Sequence, residues 1–220
     1  MTENDDSVSA RGMSEETSFH ESIGSVYWER LLSLHPVDVS NRSGAVYHPA
    51  QQGFVLPVYN LRYLILPEKR KIHKVGPNDR MTGETLHPFF SLALFYLTNA
   101  KDIRPAHTWV SEKDLPGGST FFRGPHHLPV EELVTLYGRD PGAFLEAGQR
   151  LGGSEVFYGD KAFALEVFPK IPLAYLLWKG DEEFPPTIHL LFDSTIQSHF
   201  SLDIIWCLVS ETTRRLAAKK

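Results

Sequence analysis

Two adjacent histidines, His126 and His127, and three consecutive carboxylates, Asp181, Glu182 and Glu183, are the side chains of this 220-residue sequence best suited to hold a ligand or move a proton. Imidazole and carboxylate together make the ligand set of zinc and other divalent ions, and a carboxylate pair can divide acid and base work. Neighbouring histidines do not both face one site: on a strand they point to opposite faces, and on a helix they lie about 100° apart. A metal site would therefore take one of His126 and His127 and complete its set from Asp181, Glu183 or Asp193. The competing account is loop packing for the histidines and a solvated acidic turn for the carboxylates. Trp178 and Phe184 flank the acids, and an apolar setting of that kind is expected to raise a carboxylate pKa.

A second stretch, Leu115–Pro129, holds Gly117, Gly118 and Ser119, whose backbone N–H groups could meet an anion, and Arg123 beyond them. No Walker lysine follows, and no strand–Gly-x-Gly-x-x-Gly–helix context surrounds the glycines, so a tight loop entering a strand is the plainer reading. Asp193-Ser194 ends a strand without a G-x-S-x-G elbow, which leaves Asp193 as the cap of the following turn. Cys207, next to Trp206 in the last helix, reads as a small core residue.

The elements that must place these groups follow from periodicity. Residues 1–17 read as a disordered acidic tail, and 18–220 as one domain. Ser18 and Glu21 have capping-box spacing ahead of an amphipathic helix over 19–34. Short β-rich runs at 46–48, 53–59, 62–66 and 71–75 come next, with a turn at 67–70. A helix apolar on nearly every side is expected over 86–98, and two short helices over 128–138 and 141–151. Strands at 161–168, 173–178 and 187–192 are joined by connections too short for parallel crossovers, so an antiparallel meander is expected. A helix over 201–218 closes the chain, with a buried stripe of Leu202, Ile205, Trp206, Val209 and Leu216. The fold class is α+β: antiparallel sheet packed with helices.

Composition narrows the function classes. The formal net charge is −5, and residues 1–18 carry −4 of it, leaving the rest near neutral. A dedicated nucleic-acid binder needs a basic face, so none is expected; Lys69, Arg70, Lys71 and Lys74 read as a solvated hairpin tip. The single cysteine rules out an internal disulfide and a thiolate cluster. The longest apolar run, Pro88–Leu97, is far short of the about 20 residues that span a bilayer, and no signal peptide is visible, so a cytoplasmic setting is expected.

Leu115-Pro-Gly-Gly118, Phe121–Leu128 and above all Trp178-Lys-Gly-Asp-Glu-Glu-Phe-Pro-Pro186 followed by Leu190-Leu-Phe-Asp193 resemble a family catalogued as a domain of unknown function in bacteria and archaea. The resemblance covers most of the chain after about residue 19. It implies an association with iron–sulfur or corrinoid proteins, since some members carry an iron–sulfur-type segment or accompany corrinoid methyl-transfer proteins. This chain lacks the cysteines of such a segment, so redox chemistry would come from a partner. The family supplies no functional residues to carry over.

Two functions compete. One is a non-enzymatic accessory or ligand-binding protein that takes a tetrapyrrole or corrinoid, or a protein carrying one, through Gly117, Gly118, Arg123, His126, His127, Trp178 and Asp181. The other is a metal-dependent enzyme with a divalent ion among His126, His127, Glu183 and Asp193.

Overall fold

Runs of β-branched and aromatic residues punctuated by Pro, Gly and Asn fold here into two antiparallel sheets. The computed structural model describes residues 25–76, 81–84 and 89–218. The acidic tail and the Ser18–Glu21 capping box lie outside the described residues. Within them the first helix, α1, runs over 25–33.

The helix α2 (Pro36–Ser43) follows, unforeseen because its only start signal is a first-turn proline. Gly44 at φ 75° ends it. The first sheet is a meander of β1 (Val46–His48), β2 (Gly53–Val58), β3 (Leu61–Leu66), β4 (Lys71–Val75) and β5 (Met81–Glu84). The expected basic cluster does sit at the β3–β4 turn, where Arg70 reaches Glu29 at 3.4 Å.

After α3 (Phe89–Asn99) come the two-residue strand β6 (Trp109–Val110) and three short helices, α4 (Gly118–Phe121), α5 (Glu131–Tyr137) and α6 (Pro141–Arg150). The second sheet is completed by β7 (Ser154–Val156), β8 (Lys161–Phe168), β9 (Ile171–Trp178) and β10 (Thr187–Asp193), in the order β6-β10-β9-β8-β7. The meander β8-β9-β10 is antiparallel as the short connections require. The helices α7 (Ile196–His199) and α8 (Leu202–Ala217) close the chain.

The core lies between the sheets and the helices. Tyr96 stacks on Phe168 at 4.5 Å and donates its hydroxyl to the Ser43 carbonyl at 2.7 Å, so its one polar atom is satisfied at full burial. The Tyr59 N–H reaches the Val167 carbonyl and ties the two sheets together. On α8 the buried stripe is Ile205, Leu208, Val209, Thr212 and Leu216, with Leu202 and Trp206 half-buried. Cys207 departs from expectation: the helix turns it to solvent, one step outside the apolar arc. No helix among the described residues is long and apolar enough to cross a membrane.

Candidate functional site

The helix α5 runs beside the outer edge of β10 and links the two stretches singled out in the sequence. His127 precedes its first turn. Its far end, Gly138, abuts Pro186, where a β-carbon would lie 2.7 Å from the proline ring. Two anchors fix the helix from below: Leu133 is fully buried, and the Tyr137 hydroxyl donates to the Leu216 carbonyl of α8 at 2.8 Å. The Trp206 indole N–H donates to the His127 carbonyl at 3.1 Å and pins the entry to α5.

Between α5 and β10 lies a groove of about 560 Å³. Leu128, Val130 and Val134 line its helical side, and Thr187–Leu190 line its strand side. Its polar groups are Glu112, His127, Glu131 and His189, with Thr135 and Thr187 between them. His127 Nδ1 lies 3.0 Å from Oε1 of Glu131, the first residue of α5, across the stretch 127–130 that leads into the helix. Both side chains are well exposed, so the pair is a solvated one, although a carboxylate at Nδ1 is also the partner that ligating histidines use.

His126 does not share this groove's lining. Its ring stacks on Phe121 at 4.6 Å and meets Trp206 edge-on at 5.9 Å, so the adjacent histidines part company as the one-site argument required. Arg123 is exposed on the chain just before them. Gly117 has φ 79° at the start of α4, and its carbonyl accepts the N–H groups of Thr120 and Phe121. The Gly118 N–H is used by the Leu115 carbonyl, and its α-carbon lies against the Glu112 carbonyl. The two glycines therefore permit a close chain reversal.

The acidic loop is a turn closed on itself. Asp181 Oδ1 accepts from the N–H groups of Glu183 at 2.9 Å and Phe184 at 2.8 Å, and the Asp181 N–H reaches the Phe184 carbonyl. The Phe184 and Glu183 N–H groups hold the Asp181 carboxyl below the usual carboxylate range. The flanking aromatics do not carry it upward: Trp178 and Phe184 are 50% and 67% exposed, and the small desolvation is outweighed by these hydrogen bonds. A second hollow of about 430 Å³ joins this loop to Arg139, just beyond α5.

Asp193 stands apart. It is 1% exposed at the opposite end of β10, about 20 Å of strand away from Thr187. Its oxygens accept from the N–H groups of Ala106, His107 and Thr195 and from the Thr195 hydroxyl. Burial works to raise its pKa, and these hydrogen bonds outweigh it and hold the carboxyl below its ordinary value. It caps a turn, as its position after a strand suggested, and it cannot join Glu183 in one coordination sphere. Among the described residues no three of His, Cys, Asp and Glu gather as a metal site.

Glu112, Glu131 and His189 were not singled out by sequence reading. Glu131 meets His127 only because the stretch 127–130 turns back ahead of α5, which no helical spacing records. Glu112 and His189 reach the groove only through tertiary placement.

A family described as Domain of unknown function (DUF3786) matches residues 35–215. No curated protein and no solved structure matches the chain.

Proposed function

The chain belongs to this family of unknown function, and we propose that it is a non-enzymatic accessory protein that acts by binding, with the groove between α5 and β10 as its site and a partner protein as its occupant. The groove itself carries the reading: apolar walls from Val130, Val134 and Leu190, ringed by a few oriented polar groups, form the surface that specific recognition uses. Thr135 is exposed at its rim, so Thr135→Trp plugs the groove without disturbing the core. Affinity purification of the wild type and of this variant from the native host tests the reading. A partner that co-purifies stoichiometrically with the wild type and is lost with the variant supports it. Equal recovery with both would place binding elsewhere.

A tetrapyrrole or corrinoid, bound directly or carried by that partner, is the second reading, and the His127–Glu131 pair favours it. The donor chemistry fits: the His127 imidazole, paired with Glu131 and close to the apolar Leu128 and Leu190, is a nitrogen that could hold the metal of such a group. Such a group would supply metal-centred redox or alkyl-transfer chemistry, and this chain would hold it through His127. Titration with haem and with cobalamin, followed by absorption spectra of wild type and His127→Ala, decides this version. A stoichiometric spectral change lost in the variant supports it, and no change in either protein removes it. The metal-dependent enzyme has weaker support, because His127, Glu183 and Asp193 are held by separate parts of the fold.

A further inference from the structure

One wall of the groove is a strand edge whose hydrogen bonds are unmade. In a strand, the N–H and C=O of one residue point to the same side, and successive residues alternate sides. The Ser194 N–H goes to the Thr108 carbonyl, so even-numbered residues at this end face β6. On β9 the Leu177 carbonyl takes the Asp160 N–H from the β8 side. Odd-numbered β9 residues therefore face β8 and even-numbered ones face β10, where Trp178, Leu176 and Ala174 lie opposite Thr187, His189 and Leu191. Both lines agree. Thr187, His189 and Leu191 bond inward, and Ile188, Leu190 and Phe192 turn their backbone groups to the outer edge.

On that edge β6 pairs only with Phe192 and Asp193. The strand stops because Asp114 Oδ2 accepts from both the N–H and the hydroxyl of Ser111, and the chain turns away. Gly118 then lets the Glu112 carbonyl fold in closely. Ile188 and Leu190 are left with no backbone partner on the outer side among the described residues. Their side chains are buried in the inner face, so what they offer the groove is the backbone edge itself.

We propose that this edge receives an extended, basic segment of a partner protein, which adds to β10 as an antiparallel strand in line with β6. The inference rests on the reading that the groove is the binding site. Strand addition satisfies the backbone of Ile188 and Leu190. Residues of the added strand opposite them point their side chains to the inner face, over Val130 and Val134, so these should be apolar. The charge of the segment follows from the rim: Glu112 and Glu131 line the groove and, among the described residues, no lysine or arginine does. Alternating apolar and basic residues meet both demands.

The test uses the full chain and a synthetic nonapeptide of alternating Val and Lys. Two further peptides carry backbone N-methyl groups on every Val or on every Lys. Binding is measured by calorimetry, and amide exchange by NMR. The expected result is saturable binding, weakened at least tenfold by methylation at Val and little by methylation at Lys. Exchange at Ile188 and Leu190 should slow at least tenfold, with Thr187 and His189 unchanged. Binding that Thr135→Trp abolishes, but that leaves exchange at Ile188 and Leu190 unaltered, overturns strand addition and keeps the groove as the site. Binding indifferent to Thr135→Trp removes both readings. No binding of the Val/Lys peptide overturns the basic-strand inference alone.

Discussion

The Glu112 carbonyl lies against the α-carbon of Gly118, in the space that a β-carbon would fill. That contact lets the chain leaving β6 fold back, and so opens the groove beside β10.

Gly118→Ala should therefore destabilise the protein by about 3 kcal/mol, since a backbone carbonyl cannot step aside as a flexible side chain can. Urea unfolding measures it. The neighbouring Gly117→Ala strains a left-handed residue, with only a side-chain methyl of Leu202 near its β-carbon position, and should cost less, about 1 kcal/mol. Equal costs would show that the close approach is relieved by a small shift of the loop.

Asp193 is the single acceptor for three backbone N–H groups and one hydroxyl. Asp193→Ala strands these donors and should lower stability by about 3 kcal/mol or more. Asp193→Asn keeps one oxygen and should lose less. A near-neutral Asp193→Ala in chemical denaturation would contradict the capping role.

His199 supplies a pH dependence. Its Nδ1 accepts the Lys101 N–H at 3.2 Å, its Nε2 is buried without a partner among the described residues, and burial, reinforced by the Lys170 ammonium and offset in part by Asp193, lowers its pKa to about 4. The unfolded chain takes up this proton near the ordinary value of about 6.5, and the folded chain refuses it until about pH 4. Stability is thus full above pH 6.5 and falls as the pH drops toward 4, by on the order of 3 kcal/mol. In His199→Gln that slope should flatten. An unchanged stability profile between pH 7 and 4 would assign the loss to other groups.

Asp181 organises the acidic loop through two backbone hydrogen bonds. Asp181→Ala should speed exchange of the Glu183 and Phe184 amides by about tenfold, with little change in global stability, because the loop is exposed. Acidification well past the ordinary carboxylate range should lower the protection of these amides in the wild type too, since the hydrogen-bonded carboxyl holds its charge to below its usual value and only then loses it. Exchange indifferent to both changes would mean that Gly180 and the prolines hold the loop without it.

Local chemistry made much of this protein legible in the sequence. Strands at 46–48, 71–75 and 161–168 have the boundaries that their period and their turn residues set. The α6 start was readable because Asp140 and Pro141 are a cap and a first-turn proline, and the Asp140 carboxylate does accept the Ala143 N–H. The turn role of Asp193 was readable for the same reason: its partners include its own downstream backbone. β6, with two residues, carries no periodic signal, and α2 lacks a side-chain cap.

The site divides in the same way. The sequence alone marked His127 and the acidic loop, and raised the expectation that a site would take one of His126 and His127, since neighbouring side chains diverge on a strand or a helix. Tertiary structure decided the rest. It sent Asp193 to the far end of β10, turned Cys207 to solvent, brought Glu112 and His189 into one groove, and left Ile188 and Leu190 at an open edge. Local preferences fix which residues form a strand, but whether its edge is covered depends on where a distant segment turns away, here at Ser111, and no periodicity in the strand itself records that.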